Sequence, residues 1–527
     1  MTSNEPRRDD IEASPSFDKF KVGFESGAPQ LVYTRLVADL ETPVSAYLKL
    51  AGDGGMGLLL ESVEGGAQRG RYSIIGLKPD IIWRASGTQA EINRDPASGE
   101  AGFQPESAET LDALRALLEE SKIDVPTGLP PMAAGVFGYM GYDTVRLIEH
   151  LPNVPPDDLN VPDAVLLRPT VMVIFDDIKD EMTIVTPVRP AADETADTAY
   201  AAARQRLSDI VAALDAPIKH PGKSLSGSST LTIPEPVSNT SETEYMEMVR
   251  RAKEYIVAGD IFQVVLSQRF TAPFELPALS LYRALRRINP APFLFHLDFG
   301  DFALVGSSPE ILVRVRDGEV TIRPIAGTRR RDDDDAVDQA LEADLLADPK
   351  ERAEHLMLLD LGRNDVGRVS EVGTVSVTSQ FVIERYSHVM HIVSNVIGQL
   401  DNARHDAVDA LMAGFPAGTV SGAPKVRAME IIDELEKNKR GPYAGCVGYF
   451  SADGNMDTCI VLRTALVKDG KVHVQAGAGI VHDSVPESEQ QECINKAKAV
   501  VRAAEAAVTF AGGSAQSKPV GNNGPFA

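Results

Sequence analysis

Two short runs of this sequence place carboxylates where they could bind a metal ion. Glu351 and Glu354 stand three apart in a segment that opens Asp348-Pro349-Lys350-Glu351, an N-cap, N1 and N3 pattern for a helix. Their side chains therefore share one face. Glu489, Glu492 and Lys496 repeat the arrangement at i, i+3 and i+7 in a second helical segment beginning near Pro486. If the two faces converge, their oxygens make a hard-donor site suited to Mg²⁺, with waters and a substrate carboxylate completing it. Each set alone reads more simply as a solvated helix face, and spacing does not decide between the two.

Other patterns fall short of the chemistry they resemble. Gly418-Thr-Val-Ser-Gly422-Ala-Pro-Lys425 looks like a phosphate loop, but Ala423 and Pro424 separate the lysine from the second glycine, where the nucleotide-binding motif tolerates no gap. Cys446, in Ala-Gly-Cys-Val-Gly, lies in an apolar strand-like run and reads as a buried, inert thiol. The basic run 329–331 followed by the acidic run 332–335 reads as a solvated loop of self-neutralising charge. No Cys/His spacing fits a structural zinc site.

The elements that must position the carboxylates belong to a long chain. Its 527 residues imply two lobes or one large mixed α/β unit. Acidic residues number 76 and basic ones 52, a net charge of −24. That field opposes nonspecific binding to nucleic acid or anionic membrane, yet a local pocket of arginine, metal and backbone N–H groups still accepts a small anion. Three cysteines in such a length point to a reducing compartment. The first twenty residues lack the apolar core of a signal peptide, and no apolar run is long enough to span a bilayer. The expectation is a soluble, cytoplasmic protein.

Composition divides the chain into a flexible N-terminus (1–24), a first region (25–215), a Gly/Ser/Pro-rich linker or crossover (216–241), a second region (242–510) and a flexible C-terminus (511–527). An Ala-rich helix is expected over 194–214. Ser241 and Glu244 form a capping box before Tyr245, Met248, Val249, Ala252 and Ile256, so a helix is expected there, ending at Gly259. A strand follows over 261–270, with Phe262, Val264 and Leu266 on one face and Gln263, Val265 and Ser267 on the other. Asp317-Gly318 and Asp469-Gly470 between alternating apolar runs predict hairpins over 311–325 and 459–476, and 171–175 with 182–185 form a similar pair. The helix opened by Asp348 is expected to stop at Gly362. Hairpins with helices between them indicate antiparallel sheets covered by helices rather than a doubly wound parallel sheet.

Several long motifs, in order, resemble the chorismate-utilising enzyme family: Pro324-Ile-Ala-Gly-Thr-Arg329, Glu354-His-Leu-Met-Leu-Leu-Asp-Leu-Gly-Arg-Asn-Asp365, Phe415-Pro-Ala-Gly-Thr-Val-Ser-Gly-Ala-Pro-Lys425 and Gln475-Ala-Gly-Ala-Gly-Ile-Val481. Leu58-Leu-Leu-Glu-Ser62 and Arg71-Tyr-Ser-Ile-Ile-Gly76 extend the resemblance to the N-terminal portion of anthranilate synthase component I, over roughly 25–510. The resemblance implies an α+β fold, a large sandwich of two mainly antiparallel β-sheets with helices outside. It implies Mg²⁺ as cofactor, held by Glu354 and Glu492, and chorismate among Gly327, Thr328, Tyr443, Arg463, Gly477, Ala478, Gly479 and Lys496. Arg463 offers a planar fork to a carboxylate, and a small Gly477-Ala-Gly479 turn would let backbone N–H groups approach an anion. Lys496 adds charge near that carboxylate or forms an i,i+4 pair with Glu492.

The implied catalytic set is Glu310, His391, Thr328 and Gln263. Glu310, in Ser307-Ser-Pro-Glu310, matches the family's general acid for departure of the C4 hydroxyl, and His391, in His388-Val-Met-His391, the histidine tied to elimination. Family members that add water carry lysine where this chain has Gln263, and a carboxamide cannot act as general base. Aminodeoxychorismate synthases, the alternative reading, carry a nucleophilic lysine where this chain has Ala326. Ammonia attack at C2, giving anthranilate at the start of tryptophan biosynthesis, is what remains. The implied ammonia source is a separate glutamine amidotransferase subunit, usually in a heterotetramer. Ser62, with Pro292, Phe293 and Leu294 in Asn289-Pro-Ala-Pro-Phe-Leu294, resembles the family's tryptophan feedback site, Ser62 at the polar end of the inhibitor and the other three around the indole.

Overall fold

Turn chemistry sets the strand register. Asp317-Gly318 and Asp469-Gly470 all take positive φ, 51°, 79°, 51° and 69°, which matches the twist of a two-residue hairpin. They lock Arg316 opposite Glu319 and Lys468 opposite Lys471. The computed structural model describes residues 11–52, 55–64, 68–191, 193–218, 234–386 and 389–511. Pairings throughout are antiparallel, as in Gly57–Glu64 with Phe293–Asp298 and Gly135–Met140 with Cys446–Ser451. Both of these pairs join the first region to the second, so the two share their sheet.

The expected α+β arrangement of antiparallel strands with helices outside is what forms, with one refinement. The strands link into a single hydrogen-bonded network rather than two separate sheets. Long strands make the link: Gln68–Ser86 pairs along its first part with Gly57–Glu64 and along its last with Gln89–Asn93, bending at a register shift between Pro79 and Ile81. Apolar side chains fill both sides of the network. Val264, Leu266, Ala478 and Ile480 pack against Tyr245, Val249 and Ala428 of covering helices. On another face Val472, Val474 and Ala476 pack under Ala497, Val500 and Ala504.

The central strand of the second region, Gln263–Pro273, lies between Lys471–Ile480 and the short Gly422–Ala423. A buried ion pair bolts it in place. Arg440 donates to Glu436 through Nε at 2.9 Å and Nη2 at 2.6 Å, to Val420 O at 2.7 Å and to Val265 O at 2.6 Å. Glu436 also accepts from Ser267 N at 2.7 Å and Ser267 Oγ at 2.9 Å. The phosphate-loop lookalike is therefore structural: Gly422, at φ 137°, lets the chain pass so close that a Cβ would stand 2.2 Å from Gln263 O.

Several expectations need correction. Residues 17–24, expected as loose tail, belong to the helix Phe17–Glu25, because Phe20 and Phe24 share a buried face and Phe20 stacks 5.0 Å from Tyr200. The Asp348-capped helix runs past Gly362 to Gly367; Gly362 packs near Ile322 and Pro324 instead of ending it. Phe262 precedes the strand and is 71% exposed, so the expected apolar face begins only at Val264. The 320–325 run splits at Arg323-Pro324 into Glu319–Ile322 and Ile325–Arg330. Arg329 and Arg331 pair with the following helices through Asp344, Asp348, Glu351 and Asp338, not within a solvated loop. Of the expected linker, 219–233 lies outside the described residues, while Val237–Ser238 pairs with Thr271 and Phe270; residues 1–10, His388 and 512–527 also lie outside.

Arg440→Leu leaves Glu436 buried and unpaired, so it should lower stability by about 3–5 kcal/mol, read as a lower urea midpoint. Phe262→Ala, at an exposed position, should shift stability by less than about 0.5 kcal/mol.

Candidate active site

The two acidic faces do approach one another. Asp348 caps its helix by accepting from Lys350 N at 2.9 Å and Glu351 N at 3.3 Å. Glu351 reaches Arg329 at 3.1 Å, leaving Glu354, one turn on, to accept from Gln263 Nε2 at 3.2 Å. Burial first, then the charges of Glu351 and Glu492, push the Glu354 carboxyl above its ordinary range. Burial and Glu492 do the same to Glu489. Lys350 lies within electrostatic reach of both Glu354 and Glu489. Among the described residues no three His, Cys, Asp or Glu side chains close into a metal cage. Glu354 and Glu492, from facing helices, fit a hard divalent cation that takes its other oxygens elsewhere. Lys496 forms the i,i+4 pair with Glu492 at 2.7 Å and also donates to Gly477 O at 2.9 Å.

Gly477, Ala478 and Gly479 are strand residues, not a turn: they pair with Ser267, Leu266 and Val265. Their smallness serves close approach of side chains. A Cβ on Gly479 would stand 2.6 Å from Gln263 Nε2, and one on Gly477 3.0 Å from the Tyr443 hydroxyl, which accepts from Gly477 N–H. Gln263 Oε1 is buried with no hydrogen-bond partner, an acceptor facing the site without a donor. Arg463, at φ 49°, is half-buried, and desolvation lowers its pKa. Among the described residues no carboxylate pairs with it, so its guanidinium is open to an anionic ligand.

Glu310 and His391 both meet the strand Ile325–Arg330. Burial pushes the Glu310 carboxyl up to about 8, although Thr419 Oγ1, at 3.2 Å and 3.3 Å from its two oxygens, and Ile325 N–H hold it down. It carries its proton at neutral pH. His391 sits opposite Thr328 where Gly327, at φ 74°, interrupts the ladder between Ala326 and Thr328. Its Nδ1 is 3.1 Å from both Gly327 O and Thr328 Oγ1. A carbonyl only accepts, so Nδ1 bears the hydrogen and Nε2 the basic lone pair. Burial, helped by Arg463, pulls the imidazole down to about 4, so it is neutral. One region thus holds a protonated acid, a neutral base and an unpaired guanidinium beside two repelling carboxylates.

The model of the chorismate binding enzyme family matches residues 66–502. The chain belongs to that family. Anthranilate synthase component 1 of Cereibacter sphaeroides is 55% identical over 496 residues, covering 94% of this chain and 98% of that protein. The Pseudomonas putida protein of the same name is 51% identical, over 89% and 93%. The crystal structure of anthranilate synthase component I from Streptococcus pneumoniae superposes with a TM-score of 0.72 at 36% identity, covering 89% of this chain and 99% of that one. The menaquinone-specific isochorismate synthase of Escherichia coli shares the fold, with a TM-score of 0.66 at 21% identity over 93% and 99%.

This family member has a second concavity. Ser62, Pro292, Phe293 and Leu294 all line one cavity of about 840 Å³, because Phe293 pairs with Ser62 and Leu294 with Glu61. The adjacent leucines Leu58 and Leu59 are buried core. Sequence reasoning missed its polar equipment. Glu61, 6% exposed, accepts from Tyr282 and from Arg286 at 2.7 Å and 2.8 Å. Arg314 Nε and Asp457 Oδ1 are buried without partners at the cavity. Thr419 and Tyr386 also went unread; each stands inside a motif already quoted or next to one, the only signal available. The thiols Cys446 and Cys493 are buried and pushed up to about 12, which keeps them protonated and unreactive.

The raised Glu310 sets a pH dependence. Its neutral form favours the fold fully below the ordinary value of 4.5, and that contribution is lost as pH rises toward about 8. Wild-type stability should therefore fall relative to Glu310→Gln by up to ~1.4 kcal/mol per pH unit across this window. Urea unfolding at pH 5, 6.5 and 8 checks it; a constant difference would mean the carboxyl ionises normally.

Proposed function

We propose that this lyase converts chorismate and ammonia to anthranilate, pyruvate and water. One observation carries the reading: proton-loaded Glu310 and neutral His391 share a site with an unpaired Arg463. The names of the relatives support it over aminodeoxychorismate formation, as does Ala326, which cannot form a covalent adduct. Gln263 supplies no general base for adding water.

Arg463 pairs with a carboxylate of chorismate, and the tight Gly477–Tyr443 and Gly479–Gln263 contacts shape the wall beside the ring. Ammonia adds at C2, its N–H directed to the open Gln263 Oε1, while Glu310 gives its proton to the C4 hydroxyl, which leaves as water. His391 Nε2, held in its tautomer by Gly327 O and Thr328, then takes the C2 proton as the enolpyruvyl group departs. Orientation and proton placement are the work of these side chains. Glu354 and Glu492 would hold Mg²⁺, which would supply positive charge for the ring carboxylate, and the mutual repulsion of those carboxylates favours taking up a cation. Lys496 orients Glu492 from Gly477 O.

The ammonia comes from a partner, a glutamine amidotransferase subunit in a heterotetramer. The designation component 1 in the relatives supports a second component, and the protonated thiols of this chain are unsuited to glutamine hydrolysis. The enzyme works in the reducing cytoplasm, in keeping with three free cysteines. Tryptophan occupies the cavity at Ser62, Pro292, Phe293 and Leu294 and inhibits by favouring a less active conformation.

The chain alone, given chorismate, Mg²⁺ and ammonium, should release anthranilate and pyruvate, and glutamine should not replace ammonium. Glu354→Gln and Glu492→Gln should each lose at least about tenfold in activity, partly restored by raised Mg²⁺. Product chromatography decides: 4-amino products would establish the aminodeoxychorismate reading instead.

Ser62→Arg places a bulky cation in the cavity. It should raise the tryptophan concentration for half-inhibition by at least about tenfold while ammonia-dependent activity persists. Joint loss of sensitivity and activity would refute a separate effector site.

A further inference from the structure

The 840 Å³ cavity and Glu310 meet at the connection between Phe302–Ser308 and Ile311–Arg316. Pro309 and Ile311 line the cavity, while Glu310 between them turns to Thr419. Tyr386, just past the end of Ser376–Arg385, belongs to both sides. It lines the cavity, and its ring meets the His391 ring edge-on, with centroids 5.5 Å apart at 61°. Its hydroxyl donates to Glu384 Oε2 at 2.9 Å. Glu384 is itself paired with Arg323, and both line the cavity. Tyr386 N donates to Val389 O at 2.8 Å, which pins the backbone and leaves side-chain rotation as the ring's freedom. Glu384 stands directly opposite His391 in the ladder.

We propose that Tyr386 is a positioning residue that makes the placement of His391 depend on what fills the cavity. The proposal rests on the effector reading of that cavity. A zwitterionic ligand engages the same charges that Glu384 and Arg323 now satisfy between themselves. Drawing Glu384 away releases the Tyr386 hydroxyl, the ring tilts, and the imidazole that leans on it loses its alignment. An element with two arrangements, biased differently by two ligands, is what coupling between sites requires.

Two variants separate the parts. Tyr386→Phe keeps the ring and removes the hydroxyl bond to Glu384; Tyr386→Leu removes the ring. The full chain with Mg²⁺ and ammonium is assayed for chorismate KM with and without saturating tryptophan, and tryptophan binding is measured directly by calorimetry. The ratio of the two KM values should fall at least about fivefold in Tyr386→Phe while tryptophan still binds. Tyr386→Leu should form anthranilate at least about tenfold more slowly and accumulate the aminated, non-aromatic intermediate, as expected when a proton acceptor is misplaced. A wild-type KM ratio in Tyr386→Phe, or loss of its tryptophan binding, would overturn the proposal. So would equal slowing of both half-reactions in Tyr386→Leu without intermediate. A wild-type chain that neither binds nor responds to tryptophan overturns the effector reading instead, and the intermediate assay then judges the positioning role alone.

Discussion

The buried pair of Arg440 and Glu436 holds together what the chemistry needs. Their side chains are 1% and 3% exposed, where an isolated charge would be strongly disfavoured. Each finds enough partners to offset desolvation. Between them they tie the loop at Val420 to Val265 and Ser267, and Tyr142 and Tyr443 lie against the guanidinium at 4.7 Å and 5.6 Å. The strand so fixed begins with Gln263, whose amide reaches Glu354. A displacement at Arg440 would therefore be felt at the carboxylates, through a strand that has no slack.

Charge in this protein is arranged locally against its overall sign. A chain of net charge −24 must attract a dianionic substrate, and the proposed reading gives that task to Arg463, which pairs with no carboxylate among the described residues. Nearby, carboxylates are kept from any arginine: Glu351 absorbs Arg329 and leaves Glu354 to face Glu492. In the proposed reading, keeping Arg463 from carboxylates and Glu354 from arginines stores electrostatic energy that ligand and cation would release on binding, and the low-dielectric surroundings make each unmet charge count for more. The same burial that desolvates Arg463 keeps Glu310 protonated and His391 neutral.

Much of this was legible from sequence because local and global signals agreed. Ser241 and Glu244 form the capping box they predict, and both Asp-Gly turns make the hairpins they predict. The spacing of Glu351 with Glu354 and of Glu489 with Glu492 located both acidic faces. What failed were inferences from residue type without its neighbours. Gly362 was read as a helix stop, although a glycine buried beneath a proline-bearing connection stays helical. Gly477 and Gly479 were read as a turn, although their purpose is clearance for Gln263 and Tyr443. The convergence of the faces, the tautomer of His391 and the double exposure of Tyr386 arise from pairings between distant segments, which no local pattern encodes.

The helix Pro486–Ala511 carries Glu492 and Lys496 and lies far along the chain from Gln263 and Glu354. During synthesis the strands, the acid and the imidazole leave the ribosome before either of these residues does. The growing polypeptide therefore spends most of its assembly with Ala476 and Val474 lacking their Ala-rich cover. Glu492, which the proposed reading makes a cation ligand, comes within electrostatic reach of Glu354 only when this helix docks. That same late docking leaves an apolar strand face uncovered in the interim, which makes prompt closure of this helix the stage at which aggregation competes most directly with folding.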